Sequence, residues 1–131
     1  MNIDPVKIQV RFVDIDLMGH VNNAVYLSYF ENARMHYFKE MLGSDWNWNK
    51  DGIILLKNEI EYLKPVLLND TPEIKITVIA IGTKSFTLGY ELTVNGVLCC
   101  KGLSVLVGYD NQSQQSIAIT PAMRAGLEKL N

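Results

Sequence analysis

The chain has 131 residues, of which 48% are hydrophobic and 20% charged, and its formal net charge is −2. This length predicts a single domain over residues 1–131, with a hydrophobic core that needs no disulfide or metal. Lysine and arginine are scattered, and no run of about 18 apolar residues occurs, so we expect neither nucleic acid nor a membrane among the partners.

The N-terminus and the cysteines indicate a cytoplasmic protein. The first five residues, Met-Asn-Ile-Asp-Pro, lack the basic and apolar regions of a signal peptide. Cys99 and Cys100 are adjacent in a predicted strand, so their side chains point to opposite faces. We therefore expect no structural disulfide and no metal site here, which fits a reducing compartment.

The first predicted elements are a strand and a long helix. Residues 6–13 alternate between apolar and polar side chains, which predicts a half-buried strand whose apolar face ends at Phe12. After a loop over residues 14–22, the spacing from Asn23 to Leu42 becomes helical, and Gly43 stands where the helix should stop. The apolar face of this helix comprises Tyr26, Phe30, Ala33, Tyr37 and Met41, widened by Leu27, Phe38 and Leu42.

The rest of the chain predicts mainly strands. A loop over residues 44–52 leads to four strand-like runs, at about residues 53–63, 73–82, 85–95 and 97–108. Asn95-Gly96 indicates a two-residue hairpin. Residues 109–119 indicate a polar loop, and Thr120-Pro121 the start of a short helix to about Leu130. Consecutive strands favour an antiparallel sheet, and a mostly apolar helix must be covered by it.

Between the first strand and the helix lies a cluster of polar and reactive residues. It contains Asp14, Asp16, Gly19, His20, Asn22 and Asn23. The free N–H groups and dipole of a helix N-terminus can stabilise an oxyanion and favour an ionised carboxylate beside it. A carboxylate in this loop can then act as a nucleophile or a general base. Aspartate also caps turns, which we favour for Asp14; for Asp16 the spacing alone does not decide.

These residues carry a family resemblance. The segment Asp14-Ile-Asp16-x-x-Gly19-His20-Val-Asn22-Asn23-x-x-Tyr26-x-x-Tyr-x-Glu31-x-Ala-Arg34 resembles the hotdog-fold acyl-CoA thioesterases of the 4-hydroxybenzoyl-CoA thioesterase-like group. Its His-Val-Asn-Asn run is similar to the plant acyl-carrier-protein thioesterases, although those carry Asn where this chain has Met18. Ile60–Pro65 and Lys84-Ser85-Phe86 match more weakly.

The resemblance implies the α+β hotdog fold: a five-stranded curved antiparallel sheet wrapped around one long central helix, forming a single hotdog thioesterase domain. It implies an acyl-CoA substrate, with coenzyme A as part of that substrate and no cofactor or metal. It further implies a homodimer or homotetramer, joined through sheet edges, with active sites at the subunit interface. The acyl group stays open between aryl and short to medium aliphatic chains.

The resemblance also assigns candidate site residues. It makes Asp16 the catalytic carboxylate and the backbone N–H near Asn23 the oxyanion donor. His20 is assigned to the substrate or a water, with a structural role as the alternative. The candidate substrate-binding residues are Gly19, Asn22, Tyr26, Lys84 and Ser85. Asn22 and Asn23 also suit helix capping, Tyr26 suits a core position, and Lys84 suits a solvated strand end.

Two other functions are compatible with the same fold. A non-catalytic acyl-CoA-binding module would need an effector segment, and the first strand, predicted to begin near residue 6, is expected to leave no room for one. A hydratase or dehydratase would pair a histidine with a helix carboxylate, here His20 and Glu31. Glu31 stands three residues before Arg34, which predicts an ion pair instead.

Overall fold

The computed structural model describes residues 2–130. Within these residues lie two α-helices, a 3₁₀ helix and six strands. In order they are β1 (Val6–Lys7), the 3₁₀ helix (Phe12–Asp14), α1 (Val25–Leu42), β2 (Gly52–Tyr62), β3 (Glu73–Ile81), β4 (Ser85–Val94), β5 (Val97–Asp110), β6 (Gln115–Ile117) and α2 (Pro121–Lys129).

All strands belong to one antiparallel sheet in the order β1-β3-β4-β5-β2, with β6 paired to the end of β5. The β4–β5 hairpin turns at Asn95 (φ 50°) and Gly96 (φ 79°). Positive φ at both central residues is the geometry that suits the twist of a tight hairpin. The Asn-Gly prediction is therefore confirmed, and this hairpin sets the register of the sheet centre.

One face of the sheet packs on α1. The Phe30 ring stacks on the Tyr90 ring, with centroids 4.3 Å apart and planes within 3°. Gly102 lies beneath this pair, where a Cβ would approach Phe30 to 3.0 Å. Phe38 contacts Phe86 edge-on at 6.3 Å. Full burial of each such side chain contributes about 1.5–3 kcal/mol, so α1 is held mainly by these contacts. The curved sheet around a central helix, as predicted, is confirmed.

The second helix closes one end of the sheet. Thr120 accepts a hydrogen bond from Met123 N at 3.2 Å, and Pro121 occupies the first helical position. Met123 and Leu127 are buried beneath it. Both features match the predicted start of this helix. Within residues 2–130, neither helix has the length and apolarity needed to cross a membrane.

Three predicted boundaries were wrong. The strand expected over residues 6–13 ends at Lys7, because Ile8 N bonds to the oxygen of Pro72 (2.8 Å) and Pro72 has no N–H to return. Phe12, expected on the buried face, is 79% exposed in the 3₁₀ helix.

The other two concern α1 and the segment after β5. The first helical residue is Val25 rather than Asn23, and the N-cap is Ala24 without a side-chain cap. The predicted loop over residues 109–119 contains β6, which pairs with Gly108–Asp110 because that end of β5 extends past β4. The polar composition of this segment concealed the short strand.

Candidate active site

The segment between the 3₁₀ helix and α1 forms a tight loop closed on itself. Ile15 and Val21 form an isolated antiparallel bridge. Inside it, Asp16 N donates to the His20 oxygen at 2.8 Å, and Gly19 N donates to the Asp16 oxygen at 3.0 Å. Gly19 adopts φ 80°, a conformation that costs little only for glycine. The backbone thus returns within six residues and holds Asp16 and His20 side by side.

Asp14 anchors this loop from below. Its buried carboxylate accepts hydrogen bonds from Tyr29 Oη at 2.7 Å, from Arg11 N at 2.9 Å and from Arg11 Nη2 at 2.9 Å. Burial opposes the charge, but the hydrogen bonds from Arg11 N–H, Tyr29 and the guanidinium outweigh it and lower the pKa of Asp14. Its backbone oxygen also accepts from Asn22 N at 2.8 Å. These contacts agree with the structural role favoured for Asp14.

The two carboxylate oxygens of Asp16 have different surroundings. Oδ1 accepts from Met18 N at 2.9 Å and from His20 N at 3.3 Å. Oδ2 has no hydrogen-bond donor within the described part of the chain. The side chain is half-buried. One oxygen therefore orients the carboxylate, and the other is available to a substrate or a water.

The turn before α1 is held by its own hydrogen bonds. Asn22 Oδ1 accepts from Ala24 N at 2.9 Å, and the Asn22 backbone oxygen accepts from Val25 N at 3.0 Å. Helix capping had been expected for the Asn22 side chain. It stabilises the turn before α1 instead. Among residues 2–130 the Asn23 N–H has no acceptor, so it is available as an oxyanion donor.

These groups surround one open cavity of about 220 Å³. Four of the candidate residues predicted from the sequence line it together with Val21: Asp16, His20, Asn23 and Tyr26. The opposite wall is formed by the end of β2 and the segment after it: Tyr62, Leu63, Lys64 and Pro65. Asp16 and Asn23 thus line the same space.

The sequence interpretation did not assign the β2 wall to the site. Tyr62 contacts Tyr26 edge-on at 5.1 Å and donates a hydrogen bond to the Asn23 oxygen at 2.7 Å. Lys64 supplies a cation beside the cavity. The Ile60–Pro65 resemblance was the available signal, but the motif alone does not say which loop these residues face.

Some candidate residues lie outside the cavity lining. Gly19 and Asn22 are exposed and shape the loop. Ser85, with Lys84 beside it, pairs with Val107, whereas Tyr62 pairs with Cys100 on the same strand. Seven residues of a strand separate these two positions, roughly 23 Å. Lys84 and Ser85 are therefore not brought to this cavity within one chain.

Glu31 is exposed, and its carboxylate lies 3.8 Å from Arg34 Nη2. The predicted ion pair is therefore present. The Arg34 guanidinium is buried and also donates to Tyr90 Oη at 3.1 Å. Glu31 does not line the cavity that contains His20. The histidine–carboxylate pair that a hydratase would use is consequently not assembled by these two residues.

The Cys100 thiol and the Tyr26 hydroxyl are poor candidates for a nucleophile or a base at neutral pH. Burial, and to a lesser extent Cys99, raises the pKa of the Cys100 thiol to about 12, and burial raises that of the Tyr26 hydroxyl to about 12 as well. Both stay protonated at neutral pH. Among the described residues, no group of three His, Cys, Asp or Glu side chains could hold a metal ion.

A larger hollow of about 670 Å³ lies elsewhere, partly over the outer face of the sheet. Its lining includes Thr77, Gly89, Glu91, Lys101 and Leu103. Lys101 forms an ion pair with Glu61 at 3.5 Å, so its charge is partly neutralised. The smaller cavity remains the candidate site because it alone of the two combines Asp16 with the helix N-terminus.

Fold and site together correspond to a known class. The family model of the thioesterase-like superfamily matches residues 10–127, so the chain belongs to this superfamily, whose members share the hotdog fold. Its family relationships support thioester hydrolysis as the general activity.

The chain is also similar to individual proteins over most of its length. The chain is 27% identical to the long-chain acyl-CoA thioesterase FadM of Escherichia coli over 127 residues, which cover 95% of this chain and 96% of FadM. It is 30% identical over 116 residues to the uncharacterized protein YsmA of Bacillus subtilis, covering 87% of this chain and 78% of YsmA. A Thermus thermophilus thioesterase crystallised with coenzyme A and zinc superposes with a TM-score of 0.85 at 35% identity, over 97% and 92% of the two chains.

Proposed function

We propose that this protein hydrolyses acyl-CoA thioesters, using Asp16 as nucleophile or general base and the Asn23 N–H as oxyanion donor. The observation that carries the proposal is the shared cavity of about 220 Å³, lined by Asp16 and Asn23. Asp16 Oδ2 and the Asn23 N–H are both without partners among residues 2–130.

Two routes are open for Asp16. In the first, Oδ2 attacks the thioester carbon and forms a mixed anhydride, and the C–S bond breaks. The coenzyme A thiolate takes a proton from a water, and the resulting hydroxide hydrolyses the anhydride, which releases the acid and regenerates the Asp16 carboxylate. In the second, Asp16 takes a proton from the attacking water, and that proton passes to the leaving sulfur. In both, negative charge develops on the carbonyl oxygen, and one N–H donor there is typically worth about 3–4 kcal/mol.

His20 lines the same cavity. Two roles are open for it: it binds the substrate or a water, or it holds the loop. Its backbone already does the last through the N–H donated to Asp16 Oδ1 at 3.3 Å. The side chain is half-buried at the cavity. A His20→Gln variant separates these roles, because a structural histidine affects stability and a substrate contact affects KM.

The cavity walls suit an apolar acyl group. Val21, Leu63 and the rings of Tyr26 and Tyr62 provide apolar surface, and Lys64 provides a charge for a coenzyme A phosphate. FadM acts on long-chain acyl-CoA, but this chain is only 27% identical to it. The acyl group is therefore left open between aryl and aliphatic chains.

We propose a homodimer formed through β2. This strand is an edge of the sheet, and its Ile54, Leu55 and Leu56 are 42%, 41% and 61% exposed. A long edge strand with exposed apolar residues is normally covered by another chain. Any contact of Lys84 and Ser85 with coenzyme A would then come from the partner subunit. Light scattering distinguishes a monomer, a dimer and a tetramer.

We place the protein in the cytoplasm, where its two free cysteines would stay reduced.

Asp16→Asn tests the activity directly. Coenzyme A release is followed with a thiol reagent over a panel of acetyl-, hexanoyl-, palmitoyl- and benzoyl-CoA. Because the amide is neither a base nor a nucleophile, we expect kcat to fall about 10²–10⁴-fold with the circular dichroism spectrum unchanged. Asp45→Asn, in the exposed loop before β2, is the matched control. Unchanged turnover in Asp16→Asn refutes the mechanism, and acyl-CoA binding without turnover in the native protein favours a binding module.

A further inference from the structure

Tyr62 ties the end of β2 to the turn that precedes α1. It is the last residue of the strand, and its hydroxyl donates to the Asn23 backbone oxygen at 2.7 Å, across 39 residues of sequence. Its ring packs edge-on against Tyr26, with centroids 5.1 Å apart. Burial raises the pKa of Tyr62 above its ordinary value of 10.0, so the hydroxyl remains a donor at neutral pH.

This hydrogen bond fixes the peptide that follows Asn23. The peptide is planar, and it carries the Asn23 oxygen at one end and the Ala24 N–H at the other. Tyr62 binds the oxygen, and Asn22 Oδ1 binds the N–H at 2.9 Å. Both polar groups of this peptide are therefore held, one by the sheet and one by the turn.

The preceding peptide contains the Asn23 N–H itself. Its oxygen, from Asn22, accepts from Val25 N at 3.0 Å, and its N–H lies in the same plane and points in the direction opposite to that oxygen. With the peptides on both sides of the Asn23 Cα held, the direction of this N–H is set. Asn22, Asn23 and Ala24 are all exposed, so packing does little to orient them. The hydroxyl of Tyr62 supplies the connection to the rigid sheet.

We propose that Tyr62 is a positioning residue that acts through Asn23, holding its N–H in the orientation that stabilises the oxyanion. This inference rests on the thioesterase function proposed above. It assigns the hydroxyl to the transition state rather than to substrate affinity, because the oxyanion exists only there. The ring is a separate contribution that shapes the cavity against Tyr26.

Tyr62→Phe separates the two contributions, since it keeps the ring and removes the hydroxyl. A misplacement of the order of 1 Å in a reacting geometry costs up to a hundredfold. We expect kcat to fall roughly tenfold, while KM changes less than about twofold. Tyr109→Phe, near the far end of β5, is the matched control and should leave both constants unchanged. A KM increase with unchanged kcat would assign the hydroxyl to substrate contact and overturn the proposal.

A measurement that needs no turnover tests the same hydrogen bond between Tyr62 and Asn23. In ¹⁵N-labelled protein, Tyr62→Phe should shift or broaden the amide signals of Asn23 and Ala24 and speed their hydrogen exchange, and Tyr109→Phe should not. Unchanged amides, or wild-type kcat in Tyr62→Phe, overturn the positioning role. If the native protein hydrolyses none of the acyl-CoA panel, the proposed function fails, and the amide signals still decide whether Tyr62 orients the turn.

Discussion

Replacing Asp14 with asparagine should destabilise the protein at neutral pH while leaving its shape almost unchanged. The carboxylate is buried and accepts three hydrogen bonds, two from Arg11 and one from Tyr29. Asparagine retains one acceptor oxygen but places an NH₂ group against a donor. At least one charge-assisted hydrogen bond is lost, and such bonds contribute about 1.5–3 kcal/mol each.

The size of the destabilisation in Asp14→Asn depends on how well each hydrogen bond to the carboxylate is shielded from water. The Arg11 side chain is 66% exposed, so water compensates much of the lost ion pair. The bonds from Tyr29 Oη and Arg11 N are shielded, and their weakening should dominate. We expect the free energy of unfolding to fall by about 2–3 kcal/mol at pH 7. For a domain of this size, that lowers Tm by roughly 6–15 °C.

The pH dependence has a definite sign. The native pKa of Asp14 is lowered, so the unfolded chain binds more protons in the acid range. The stabilisation is complete above about pH 5 and is lost as the pH falls through the native pKa. The gap in stability between the native protein and Asp14→Asn should therefore narrow below about pH 4.

Urea unfolding at a series of pH values measures this gap. Tyr29→Phe removes the donor at 2.7 Å, and the double variant should be less destabilised than the sum of the singles, by about 1–2 kcal/mol. Asp45→Asn, an exposed aspartate, is the control for charge removal. Equal stability of Asp14→Asn and the native protein at pH 7, or a gap that widens in acid, would refute the anchoring role.

Three further predictions concern packing, capping and substrate charge. Gly102→Ala should destabilise by about 1–3 kcal/mol in urea unfolding, because its Cβ would meet the Glu59 oxygen at 2.7 Å and Phe30 at 3.0 Å. Thr120→Ala removes the α2 cap and should cost about 0.5–2 kcal/mol in thermal melts, whereas Thr120→Ser should cost less. Lys64→Ala should raise KM for acyl-CoA up to about fivefold without changing kcat, an effect that higher salt diminishes; an equal KM in the variant at low salt would contradict it.

Local patterns were enough to predict α1 and the strand-rich remainder. Tyr26, Phe30, Ala33 and Tyr37 recur at helical spacing, and all four are buried in the structure. Asn95-Gly96 likewise determined a hairpin from two residues. Such features depend on neighbours a few positions apart, which the sequence displays directly.

Boundaries that depend on distant partners were beyond the sequence. The first strand stops at Lys7 because its partner strand is preceded by Pro72, more than sixty positions away in sequence. The burial of Arg34 depends in the same way on Tyr90, which receives its hydrogen bond at 3.1 Å. Neither pairing leaves a periodic trace in the local sequence.

For the site, the loop motif together with its family resemblance indicated Asp16, His20 and the turn at Asn22-Asn23 as candidate residues. The tertiary structure decided which surface faces them. The pairing of β2 with β5 brings Tyr62–Pro65 opposite the helix N-terminus, and the pairing of β4 with β5 leaves Ser85 at the other end of the sheet. A motif specifies the side chains of one segment, but the walls of a cavity come from two segments. The register of the sheet determines which second segment lies opposite the first.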